Sequence, residues 1–118
     1  MNIRVIMEPE ANEISQEEES HFFDRKAASI DGKKVQKIAV AFANADDGEF
    51  MIGIADDQDE ADPTKRWQGV MCLEDLNGKL QAVFEIYPTL DLKYEILKAE
   101  KKIGLCLKNI SREKLLFT

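Results

Sequence analysis

Apolar residues recur along this chain in two distinct rhythms, and each predicts a different element. Across residues 33–42, Val35, Ile38, Ala39 and Phe42 fall at i, i+3, i+4 and i+7, the stripe of an amphipathic helix. Asp31 stands where an N-cap belongs, and the helix is expected to end near Ala43 to Ala45. Asp46-Asp47-Gly48 reads as a turn. Residues 49–56 then follow a period of two. Phe50, Ile52 and Ile54 are predicted on one face, and Met51, Gly53 and Ala55 on the other. Apolar residues on both faces predict a central strand covered on each side, with Asp56 delivered at its end.

The rest of the chain is read the same way. Asp75 is expected to cap a second helix carrying Leu76, Leu80, Val83, Phe84 and Tyr87, stopped by Pro88. Strands follow at about 92–99 and 102–108, joined by a surface turn. Residues 2–7 predict a short edge strand closed by Pro9, and 8–19 a surface loop or short exposed helix. Residues 21–28 predict a strand with Phe23 and Arg25 on one face and Phe22 and Asp24 on the other. Residues 64–71 read as irregular or a short helix, with Trp67 against the sheet edge; 111–118 begin another helix or strand. Strands and two main helices in mixed order specify an α+β fold, a mixed β-sheet packed with helices.

Composition narrows the class. A length of 118 residues with 44% hydrophobic and 33% charged residues fits one domain spanning 1–118. No stretch approaches the roughly 20 apolar residues that span a bilayer, so no membrane partner is expected. The N-terminus lacks a secretory h-region, and Cys72 and Cys106 read as two buried free thiols, which together point to the cytoplasm. Neither cysteine has a metal-spaced neighbour, which excludes a structural zinc site.

The net charge of −7 is uneven: residues 1–62 hold 16 acids and 6 bases, residues 63–118 hold 7 acids and 10 bases. Acidity disfavours nonspecific nucleic-acid binding, which depends on neutralising phosphates. It suits a protein surface, or carboxylates that bind a divalent cation. The acids of interest are Glu19, Asp24 and Asp56, candidate catalytic residues and ligands for Mg²⁺ or Mn²⁺; the fold itself requires no cofactor. Glu19 and Asp24 meet only if the chain bends between them. Lys26 and Arg25 lie nearest as phosphate donors, and His21 is the lone imidazole. No P-loop, nucleophile elbow or dinucleotide fingerprint is present.

At these residues the sequence resembles the Schlafen/AlbA-like domain family. That family carries Glu-Ser-x-x-x-Glu-Phe-Lys, matched here by Glu19-Ser20-His21-Phe22-Phe23-Asp24-Arg25-Lys26. Its Ala-Phe-Ala-Asn-Thr-x-Gly-Gly segment is matched by Ala41-Phe42-Ala43-Asn44-Ala45-Asp46-Asp47-Gly48, and its following strand by Met51-Ile52-Gly53-Ile54-Ala55-Asp56. The resemblance covers residues 14–110. Asp24 replaces Glu, Asp47 replaces the first paired glycine, and Ala55 replaces an acid.

The resemblance implies three alternatives. The first is a nucleic-acid-interacting or regulatory domain contacting DNA or RNA. The second is a metal-dependent endoribonuclease centre on Glu19, Asp24 and Asp56. The third is a protein-interaction module. The phosphate contacts expected under the first are Arg25, Lys26, Lys33, Lys34, Lys37, Lys65 and Arg66. Leu115-Leu116-Phe117 at the end is expected either to pack back onto the core or to lead into a further C-terminal domain, which with a homo-oligomer completes the expected partners.

Overall fold

The computed structural model describes residues 3–20, 22–45, 48–86 and 90–112. Its elements run β1 (Ile3–Ile6), α1 (Glu8–Gln16), β2 (Phe23–Lys26), α2 (Gly32–Asn44), β3 (Glu49–Ile52), α3 (Asn77–Phe84), β4 (Leu90–Ala99) and β5 (Lys102–Arg112), with 3₁₀ turns at Pro63–Lys65 and Leu73–Leu76. The strands form one mixed sheet in the order β1-β4-β5-β3-β2. β1 lies parallel to β4 and β2 parallel to β3; the two pairs are joined through antiparallel β5.

The α+β architecture expected from the sequence is present, with three α-helices among the described residues instead of two. The additional helix is α1. Pro9 sits in its first turn, where a missing N–H costs nothing. Ala11 and Ser15 are buried, so α1 covers the sheet and is not an exposed excursion. Asp31 caps α2 as expected, its side chain accepting from Lys34 N. Asp75 does not cap α3: the chain first takes a 3₁₀ turn, and Leu76 holds the N-cap position without a side-chain bond. Of the predicted α3 stripe, Leu76 and Val83 are buried but Phe84 is exposed, edge-on to Tyr94. Asp46, Asp47, Tyr87, Pro88, His21 and residues 113–118 lie outside the described residues.

Two apolar layers sandwich the sheet. On one face, α2 and α3 pack Val35, Ala39, Phe42 and Val83 onto Phe50, Ile52, Leu105 and Leu107. On the other, Ala11 and Ile14 of α1 meet Met51, Leu97, Cys106 and Trp67. Phe50, Met51 and Ile52 are fully buried, so β3 is interior as its composition predicts, although β5 is the central strand. Each such side chain contributes about 1.5–3 kcal/mol of burial.

Strand β3 is shorter than expected, and Ile54 does not share the face of Phe50 and Ile52. The reason is Gly53, whose φ of +102° breaks the alternation. Ile54 is thereby turned to the α1 side, with Met51. Only glycine suits the spot sterically too: a Cβ there would lie 3.3 Å from the Cα of Gly104 and of Gly69. Trp67 is buried over β5, not at an edge, and its Nε1 donates to Lys102 O at 3.3 Å. Cys106 is buried, as read from sequence, but Cys72 is exposed on the chain before α3; both thiols are free. Among the described residues no helix is long and apolar enough to cross a membrane.

Candidate functional site

Residues two apart on a strand share a face, and β2 uses this to place Asp24 and Lys26 together. Their register partners are Phe50 and Ile52, so both point to the α2 side. Arg25, paired with Met51, points to the opposite side. Asp56 arrives from the neighbouring segment beyond Gly53. Gly53 N donates to Lys26 O at 2.8 Å, which sets the two segments side by side where β3 ends.

Lys26 is the hub. Its Nζ lies 3.1 Å from Asp24 Oδ1 and 3.1 Å from Asp56 Oδ2. Burial acts to lower the Lys26 pKa, but bonds to Asp24 and Asp56 outweigh it and the pKa is raised. Burial likewise acts to raise Asp56. The Asp59 N–H, donating to Asp56 Oδ1 at 2.8 Å, and the Lys26 ammonium overcome it and hold the carboxyl below its ordinary value.

The bend that Glu19 needs is present. Ser20 N donates to Phe23 O at 3.0 Å, and Phe22 N to Ser20 Oγ at 3.1 Å, folding the approach to β2 into a tight turn. This brings the Glu19 carboxyl beside that of Asp24 on the wall of one cavity. Partial burial first, then the Asp24 bond and its charge, push the Glu19 pKa up to about 7 against the pull of Lys26 and Arg25. The three acids therefore converge, as a chain of contacts from Glu19 to Asp24 to Lys26 to Asp56.

Two adjoining cavities border the cluster. One of about 420 Å³ is lined by Glu19, Ser20, Asp24 and Lys26 together with Ile38 and Phe42 of α2. Another of about 460 Å³ is lined by Lys26, Ser29, Lys34, Lys37, Ile38 and Asp59 among others. Lys26 and Ile38 line both, so the acid-lined and lysine-lined cavities adjoin at these two side chains. Lys34 and Lys37 lie three apart on α2 and share a face.

The other cations named from sequence divide sharply. Lys33 and Lys65 are exposed; Lys33 lines a groove on the far side of Lys37, and Lys65 ends the first 3₁₀ turn. Arg25 and Arg66 are buried, 2% and 7% exposed, and face the interior. Arg25 Nη1 donates to the carbonyls of Ile14, at 3.1 Å, and Glu17. Arg66 donates to Ser15 O at 2.9 Å, Glu60 O at 2.7 Å and Ala61 O at 3.2 Å. Sequence identifies both only as bases near acids, because backbone carbonyls leave no residue signature. Ser29 also lines the cavity wall, and no motif or spacing around it in the sequence marks it as such.

Three carboxylates are the hard-oxygen donors that Mg²⁺ or Mn²⁺ prefers. The arrangement does not fit such an ion as it stands. The Lys26 ammonium holds the space between Asp24 and Asp56. Among the described residues no group of three or more His, Cys, Asp or Glu side chains is spaced to hold a metal ion.

No curated protein matches the chain in sequence. A family model does: the one described as Schlafen, AlbA_2 matches residues 19–115, starting at Glu19 itself and taking in Asp24, Lys26, α2 and Asp56. With most of its length matched, the chain belongs to the Schlafen AlbA_2 family.

Proposed function

We propose that this chain is a nucleic-acid-interacting domain that receives a phosphate of DNA or RNA in the cavity between β2 and α2. The observation that carries this reading is the set Lys26, Lys34 and Lys37, three ammonium groups on one concave wall in a chain of net charge −7. Local concentration of charge, not the sum, decides where an anion binds. Asp31 and Asp59 line the same wall, so the three lysines act beside two carboxylates. Membership of the Schlafen AlbA_2 family supports the reading. The test is fluorescence anisotropy with labelled RNA and DNA oligonucleotides at low salt. Binding that weakens in Lys34→Gln/Lys37→Gln is expected. No binding to any oligonucleotide would reject the reading in favour of a protein-interaction role.

A second reading, metal-dependent cleavage of RNA, is favoured by the run of contacts that links Glu19, Asp24 and Asp56 through Lys26. It requires Lys26 to move out from between two of them, so no catalytic step is derived from the present geometry. Incubation of RNA with Mn²⁺ tests it. Cleavage by the wild type and none by Asp56→Ala would support it; equal cleavage by both would assign the activity to a contaminant.

A further inference from the structure

The two buried arginines stand on the side of the sheet away from the proposed phosphate cavity, yet both are bonded into the segments that deliver its acids. Helix α1 ends with no basic residue in its last turn, so its terminal carbonyls have no cation of their own. Arg25 supplies one from β2, bonding Ile14 O and Glu17 O, two residues before Glu19. Its Nη2 reaches to 4.0 Å from the Glu19 carboxylate, and its guanidinium stacks 5.3 Å over the Phe23 ring.

Arg66 supplies the second. Its side chain joins Ser15 O, at the end of α1, to Glu60 O and Ala61 O, in the loop that follows Asp56. Its own backbone carbonyl accepts from Ala55 N at 2.8 Å, one residue before Asp56. Resting on the reading that the cavity between β2 and α2, bordered by Glu19, Asp24, Lys26 and Asp56, receives a phosphate, we propose that Arg25 and Arg66 are positioning residues. Together they clamp the segment carrying Glu19 to the segment carrying Asp56. A planar fork with five donors on three nitrogens can reach carbonyls spread over several ångströms, whereas an ammonium offers its three donors from a single atom. The clamp spans parts of the chain 51 residues apart, from Ser15 to Arg66, and gives the acid-lined wall its spacing.

Hydrogen–deuterium exchange on the full chain tests this. Arg66→Lys keeps the charge but replaces three donor nitrogens, each bonded to a different carbonyl, with one. Exchange in residues 14–20 and 57–62 is expected to accelerate together, on the order of tenfold, with β3 and β5 amides unchanged. Arg25→Lys is expected to accelerate 14–20 alone, and decides the matter should Arg66→Lys fail to fold. Acceleration spread evenly through the sheet, or none in either segment, would overturn the clamp. A second readout separates positioning from mere support: affinity for a single-stranded RNA oligonucleotide is expected to fall roughly two- to thirtyfold in both variants, with the salt slope unchanged. Unchanged affinity in folded variants overturns positioning, and a reduced slope would make the arginines direct phosphate contacts instead. If the wild type binds no oligonucleotide, the functional reading fails, and the exchange pattern alone still decides the clamp.

Discussion

Lys26 and Asp56 are 30 residues apart in the chain, and their side chains meet at 3.1 Å across the end of β3. The contact is part-buried and shared with Asp24, so removing the ammonium leaves two carboxylates facing each other. Lys26→Met is expected to cost about 1–3 kcal/mol in urea denaturation. The pH dependence has a definite sign. Asp56 has a lowered folded pKa, so its contribution is present above the unfolded value of about 3.9 and is lost as pH falls through the folded one. Lys26 has a raised one, so its contribution is present below about 10.4 and is lost as pH rises through the folded value. A variant with unchanged stability at neutral pH would show that the contact is not formed.

Glu19 behaves oppositely to Asp56. With a folded pKa of about 7, it binds more protons folded than unfolded between its ordinary value and neutrality. Its contribution to stability is therefore full below about 4.3 and declines as pH rises towards 7. A carboxyl ¹³C titration is expected to give a Glu19 midpoint near 7, falling in Asp24→Asn. An ordinary midpoint in the wild type would mean that Glu19 and Asp24 do not meet.

Gly53 turns the chain between β3 and Asp56. Gly53→Ala places a Cβ at φ +102° and 3.3 Å from two glycine Cα atoms. A loss of about 1–3 kcal/mol is expected in thermal or urea unfolding. A neutral substitution would contradict the reversal of Ile54 that this glycine produces.

The two thiols should report the fold chemically. Burial first, then the neighbouring Glu49 carboxylate, raise the Cys106 pKa, while Cys72 is exposed. One fast-reacting thiol is expected with a disulfide reagent in the native state, and two after denaturation. Two fast thiols in the native state would place Cys106 at the surface.

What the sequence disclosed and what it withheld divide along the range of the interactions. Helix α2 was legible because Val35, Ile38, Ala39 and Phe42 keep a 3.6-residue period and Asp31 caps it locally. The facing of Ile54 was not, because one positive φ at Gly53 inverts a period of two. Helix α1 was ambiguous because its buried contacts, Ala11 and Ser15, are small and sit among acids. Within the site, Glu19, Asp24 and Asp56 were named from motif and chemistry. Their convergence depends on the Ser20–Phe23 turn and on strand pairing, which spacing alone does not reveal. Arg25 and Arg66 looked like phosphate contacts because a sequence shows charge and not which side of a sheet holds it.

The most direct measurement is the salt dependence of oligonucleotide affinity for the wild type and for Lys34→Gln/Lys37→Gln. If a phosphate backbone engages these lysines, log affinity falls linearly with log salt concentration. The slope should then be shallower in the double variant by about 1.4 for a single strand, about 0.7 for each lost contact. Parallel lines for the two proteins, or a wild-type affinity independent of salt, would contradict a phosphate site between β2 and α2.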